Sequence, residues 1–220
     1  MTADRREIYR YLGCRSARPP EELRRTVEDC LAELEATVAP RRIYRLYLLD
    51  EVEEEKVRFG GLTLESRDLA AFLKECTMTA LLAVTLGPSA DICIRRREKQ
   101  EMSRAVVLDA CASALAEAQA EECQREAEEA AGLVAVGRFS PGYGDLPLDI
   151  QRTLLDRLDA PRRIGLTLTG GGMLVPVKSV VALAGLRPDG AVGASPNCGS
   201  GKCASCGKMD CPYREISGEK

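Results

Sequence analysis

The chain has 220 residues, 45% hydrophobic and 30% charged, with Lys+Arg 31 against Asp+Glu 34 and a formal net charge of −3. This is the composition of an ordinary folded protein, sized for one main domain with an appendage, and its evenly spread basic residues leave no electrostatic footprint for nucleic acid. With His 0, no Ser–His or Cys–His relay can operate and no imidazole can bind a metal, so any chemistry rests on carboxylates, thiolates, Tyr, Lys or a cofactor.

The segment "DRREIYRYLG" predicts a short helix closed by Gly13, and "PPEELRRTVEDCLAELEATVAP" a longer one with Leu23, Val27, Cys30, Leu31 and Leu34 at helical spacing. In "RRIYRLYLLD" the pattern moves toward period 2, and "VRFGGLTL" adds an extended piece bent or bulged at Gly60–Gly61. Ser66 can cap a helix over "SRDLAAFLKEC", the run "TMTALLAVTLG" reads as a buried strand, and a further helix starts near Pro88.

A long helix is expected from Glu101 to Ala130. Its first half is apolar or small on nearly every side and should be central, whereas its charged second half should project into solvent. Glu117 lies in the small-residue region and reads as a carboxylate pointing outward from an Ala-rich helix rather than as a buried functional group.

Next come a strand "GLVAVGRF", the loop "SPGYGDLP", a helix "PLDIQRTLLDRLDA", and two extended segments, "RRIGLTLT" and "VKSVVALAGL", separated by "GGGMLVP". Helices and strands mix without a regular βαβ repeat, which favours an α+β fold. After Leu186 the composition turns rich in Gly, Pro and Ser, which divides the chain into a domain over 1–186 and a linker with a cysteine-bearing tail over 187–220.

The amino-terminal "MTADRREIYR" has no apolar signal core, and the longest apolar stretch is too short to span a bilayer. The expected location is the cytoplasm, with no membrane partner. The ten cysteines should then be mostly reduced, and six of them need only fill space as small apolar side chains.

Three constellations bear on chemistry. The glycines of "TLTGGGM" lack the Lys and Ser/Thr of a phosphate loop and read as a strand connection where backbone can approach a ligand. In "GRFSPGYGDLP", Pro141–Gly142 forms a turn dipeptide between strand and helix. There Arg138 offers a planar cationic fork, Tyr143 an aromatic face with a hydroxyl, and Gly142 accessible backbone, a set suited to a ligand with a carboxylate and a flat ring.

The third constellation is Cys198-x4-Cys203-x2-Cys206-x4-Cys211. Four thiols at this density in a reducing compartment point to a shared metal site. Zinc ribbons set two Cys-x-x-Cys turns well apart, whereas this block has one. Its first three cysteines repeat a plant-type ferredoxin fragment, and Cys211–Pro212 resembles the end of bacterial ferredoxin runs. A [4Fe–4S] cluster is therefore placed ahead of a compact zinc knot, which stays as the alternative.

"RFSPGYGDLP", the following helix, "LTLTGGGMLVP" and "KSVVALAGL" together resemble the S-adenosylmethionine-binding activation domain of cobalamin-dependent methionine synthase, whose motif is Arg-x-x-x-Gly-Tyr, usually as Arg-x-x-Pro-Gly-Tyr. The resemblance runs over 132–186, and "EIYRYLG" and "AVTLGPSADICIRR" are similar to stand-alone members. It implies a mixed, mainly antiparallel sheet with packed helices. It also implies a cofactor-binding set of Arg138, Gly142 and Tyr143, with Pro141 in the expected place and Ser140 contributing backbone.

The chain lacks the family's methyltransferase and cobalamin modules. The resemblance therefore implies a separate reactivation subunit that presents S-adenosylmethionine to a methionine synthase or other corrinoid protein, supporting reductive methylation of cob(II)alamin, with a reductase as a further partner. The work is positioning rather than acid–base chemistry, so no catalytic side chain is assigned. Two other readings stay open: a sensor or interaction module with a structural zinc tail, and a component of another corrinoid methyltransferase system.

Overall fold

The computed structural model describes residues 3–14 and 19–188. Cys198, Cys203, Cys206 and Cys211 lie outside the described residues, as does nearly all of the segment beyond the expected boundary at 186.

Helix α1 (Arg5–Tyr11) starts at Asp4, whose carboxylate accepts the Arg6 amide at 2.8 Å, and ends just before Gly13. Helix α2 (Glu21–Thr37) buries the predicted stripe of Val27, Cys30, Leu31 and Leu34. Strand β1 (Arg41–Val52) is followed by the hairpin β2 (Lys56–Phe59) and β3 (Leu62–Glu65). The hairpin turns tightly because Gly60 and Gly61 both take positive φ, and a Cβ on Gly60 would lie 2.4 Å from the Tyr47 ring. Ser66 caps α3 (Arg67–Leu73), accepting the Leu69 amide at 3.0 Å.

The order continues with β4 (Met78–Thr85), α4 (Pro88–Gln100), α5 (Met102–Ala131) and β5 (Val134–Phe139), then α6 (Gln151–Leu158) and α7 (Ala160–Ile164). A small hairpin of β6 (Thr167–Leu168) and β7 (Leu174–Val175) precedes β8 (Ser179–Arg187). Six strands form one sheet in the order β3-β2-β1-β4-β8-β5, and every ladder is antiparallel. The expected α+β class with packed helices is what the chain adopts.

The central strands β4 and β8 are covered on both faces. Leu81, Ala83, Val181 and Leu183 face a core shared with Phe59, Phe139, Leu154 and Leu158, whereas Ala80, Leu82, Val84, Ala182 and Ala184 face Ala120, Cys123 and Ala127 of α5. Burial on both sides is why "TALLAVTL" reads as a continuous apolar run without alternation.

Two expectations are corrected. The second half of α5 does not project into solvent: Ala120, Cys123 and Ala127 form a narrow stripe that lies on the sheet, with Glu121, Glu122 and Arg125 on the rest of the surface. Its first half is the centre of a bundle with α1, α2 and α4, through Leu108, Cys111 and Leu115. The predicted helix "PLDIQRTLLDRLDA" is also broken. A 3-10 turn at Leu148–Ile150 leads into α6, and Asp159, at φ 52, starts α7, which takes up Arg162 and Arg163 from the segment expected to be extended.

The bundle is tied by one carboxylate. Glu33 of α2 accepts two 2.8 Å bonds from Arg97 of α4 and a thiol bond from Cys93 at 3.2 Å, with Arg104 of α5 at 3.5 Å. Burial opposes ionisation of Glu33, but the hydrogen bonds from Arg97 and Cys93 and the two guanidinium charges outweigh it and hold the carboxyl below its ordinary value. Among the described thiols, Cys30, Cys93, Cys111 and Cys123 are buried, as apolar fillers should be, while Cys14 and Cys76 are partly exposed. No helix among the described residues is long and apolar enough to cross a membrane.

Candidate functional site

Strand β5 lies at one edge of the sheet, beside β8. Arg138 stands opposite Ala184 and Phe139 opposite Leu183, so strand alternation sends Arg138 toward α5 and Phe139 into the opposite core. The Arg138 guanidinium donates to Gln124 Oε1 at 3.1 Å and to Glu117 Oε2 at 3.2 Å. Its side chain is only 14% exposed while that of Glu117 is 46% exposed. A sheltered cation thus sits behind a carboxylate that solvent and solutes can reach, in surroundings where charge interactions are stronger than in water.

Glu117 points outward from α5, as the sequence suggests, and it is paired with Arg138. Asp109, Ser113 and Glu117 are spaced four apart on an otherwise Ala-rich stretch of α5, which puts them on one face, and that spacing was the available signal. Lys178, just before β8, reaches the same face: its ammonium lies 2.8 Å from Asp109 Oδ1 and donates to Ser113 Oγ at 2.9 Å.

The loop after β5 is a compact knot. The Tyr143 amide donates to the Ser140 carbonyl at 3.1 Å, Gly142 to the Leu146 carbonyl at 2.9 Å, and Leu146 back to the Tyr143 carbonyl at 3.1 Å. Gly142 takes φ 87, which a side chain would resist, and the flanking Pro141 and Leu146 are buried. Between them the Tyr143 ring stands edge-on to Phe139, with centroids 6.4 Å apart, and is 46% exposed.

Tyr11, at the end of α1, completes the surroundings. Its phenol is pushed up to about 12, first by burial and then by the negative charge of Glu117 and Glu7, with Tyr143 adding to the rise and Arg10 opposing it. From Tyr11 a hollow of about 400 Å³ runs along α5 past Ser113 and Asp109 to Met102 and Val106. The triple glycine has no part in this: it turns the β6–β7 hairpin, where Thr169 Oγ1 accepts the Met173 amide at 3.0 Å.

The structure places Ser140, Pro141, Gly142 and Tyr143 in the one loop that follows the end of β5 at Phe139. It adds Glu117 and Tyr11, which sequence reasoning did not select. Among the described residues, no group of three or more His, Cys, Asp or Glu side chains could hold a metal.

No family model matches the chain, and no curated protein sequence does. Among solved structures it is similar to one described as the MetH reactivation domain bound to AdoHcy. The TM-score is 0.61 at 19% identity, over 77% of this chain and 66% of that one. The fold is that of the methionine synthase reactivation domain. At this identity the likeness is one of fold, and the chain spans about two thirds of that neighbour's length.

Proposed function

We propose that the chain binds S-adenosylmethionine at the Arg138–Glu117–Tyr143 site and presents it to a corrinoid protein, as a separate reactivation subunit for a cobalamin-dependent methionine synthase. The observation that carries this reading is the Arg138–Glu117 pair, 3.2 Å apart with the carboxylate exposed. An α-amino-acid end offers the complementary charges, its carboxylate to the guanidinium and its ammonium to Glu117, and Tyr143 offers a half-exposed ring for a flat base. The fold neighbour's description as bound to AdoHcy, the demethylated form of the same ligand, supports the choice of amino acid.

The protein's contribution would be position: a sulfonium methyl held in an open groove at a sheet edge, where a partner can approach. The partner's cob(II)alamin would take the sulfonium methyl together with one electron, leaving S-adenosylhomocysteine on this chain. In this reading the domain of 1–186 acts in the cytoplasm, and Cys198, Cys203, Cys206 and Cys211 of the tail over 187–220 hold a [4Fe–4S] cluster that relays the electron or receives a reductase.

A titration of the full chain with S-adenosylhomocysteine, followed by corrinoid methylation with a methionine synthase lacking its own activation module, tests the proposal. Absence of binding would remove it. Binding without methylation would favour a sensor module.

A further inference from the structure

The exposed middle of the loop, 142–145, is fastened to a distant part of the fold through Asp145. The Asp145 carboxylate accepts the Arg67 amide at 2.8 Å and the Asp68 amide at 3.2 Å, and it takes a hydrogen bond from the Ser66 hydroxyl, 79 positions away. Asp68 returns the bond, its carboxylate accepting the Asp145 amide at 3.2 Å. The two segments are in close contact: at Gly144, φ 53, an added Cβ would lie 2.2 Å from Asp68 Oδ2. Ser66, 3% exposed, is itself fixed because its oxygen caps α3 through the Leu69 amide.

We infer that Asp145 is a positioning residue: held by Ser66 and the first amides of α3, it sets the placement of Gly142 and Tyr143 at the edge of the sheet and thereby the affinity of the ligand site. The ends of the loop need no such help, since Pro141 and Leu146 are already buried. The stretch between them is exposed, and its own backbone bonds close the turn without fixing where it sits against α3, so it would sample several placements without an anchor. Fixing it in advance removes that ordering cost from ligand binding. The inference rests on the ligand reading of the Arg138 site given above.

The test uses the full chain with S-adenosylhomocysteine as probe and amide hydrogen exchange as a second, ligand-free readout. In Asp145→Ala, affinity is expected to fall about tenfold or more, exchange to quicken at 142–146, and exchange in β4 and β8 to stay unchanged. Asp145→Asn, which keeps one acceptor oxygen, should fall between, and Ser66→Ala should move affinity in the same direction.

Unchanged affinity in Asp145→Ala would overturn the inference, as would faster exchange throughout the sheet, which marks a merely structural residue. If the unaltered chain does not bind the probe, the ligand reading fails. The exchange pattern at 142–146 then decides alone whether Asp145 positions the loop.

Discussion

Arg138 on β5 and Glu117 on α5 are 21 positions apart in sequence and 3.2 Å apart in space. The pair joins the edge of the sheet to the helix that covers it, with the cation sheltered and the anion accessible. Removing the cation leaves a ligand carboxylate without its counter-charge. Arg138→Ala is expected to weaken S-adenosylhomocysteine by at least about 30-fold, and Glu117→Gln by less. Calorimetric titration reads both, and an unchanged isotherm for Arg138→Ala removes the basis of the site.

Gly185 in β8 has no room for a side chain: a Cβ would meet Cys76 Sγ at 2.7 Å and Leu73 Cδ2 at 2.8 Å. Gly185→Ala should destabilise by about 1–3 kcal/mol through overpacking, lowering Tm by roughly 3–10 °C. Thermal unfolding checks this, and a Tm equal to that of the unaltered chain would show that α3 yields.

Burial pushes the Cys111 and Cys123 thiols up to about 12 and Cys30 up to about 11. A raised thiol carries almost no thiolate at pH 8, so alkylation of these three should proceed only through unfolding. Peptide mapping after iodoacetamide treatment should find Cys14 modified well before Cys111.

The carboxyls of Glu33 and Asp145 lie below their ordinary values of 4.5 and 3.8. For Asp145 the cause is first the Ser66 hydrogen bond and then those of the Arg67 and Asp68 amides. A lowered carboxyl contributes stability that is present above its unfolded pKa and is lost as pH falls through the folded value. The unfolding midpoint should be level from about pH 5 to 8 and fall below about pH 4. Glu33→Gln should flatten that acid limb, and an acid limb identical to that of the unaltered chain would dissociate it from Glu33.

Anaerobic purification is expected to yield a coloured protein with a [4Fe–4S] cluster, lost in Cys203→Ser, as visible absorption and paramagnetic resonance would record. A colourless chain with one zinc per molecule would instead assign the four cysteines to a structural site and end the electron-relay idea.

Much of the architecture is legible in the sequence because local physics dictates it. Ser66 before α3, Pro88 opening α4 and Gly60–Gly61 turning the first hairpin are signals contained within a few residues. The end of α6 is less so: Pro161 marks a break, but Asp159 adopts the left-handed region that is more often filled by Gly or Asn. Arg138 and Tyr143 can be selected from their loop, but Glu117 joins them only through the packing of α5 over the sheet. The contact between Asp145 and Ser66 likewise depends on bringing α3 beside the loop, which no short-range rule supplies.

Helix α5 supplies Leu108, Cys111 and Leu115 to the bundle and Ala120, Cys123 and Ala127 to the sheet. Those two cores share one 30-residue segment, and β4 and β8 carry the coupling on to the core on the other face of the sheet, so the described body should unfold in a single calorimetric transition.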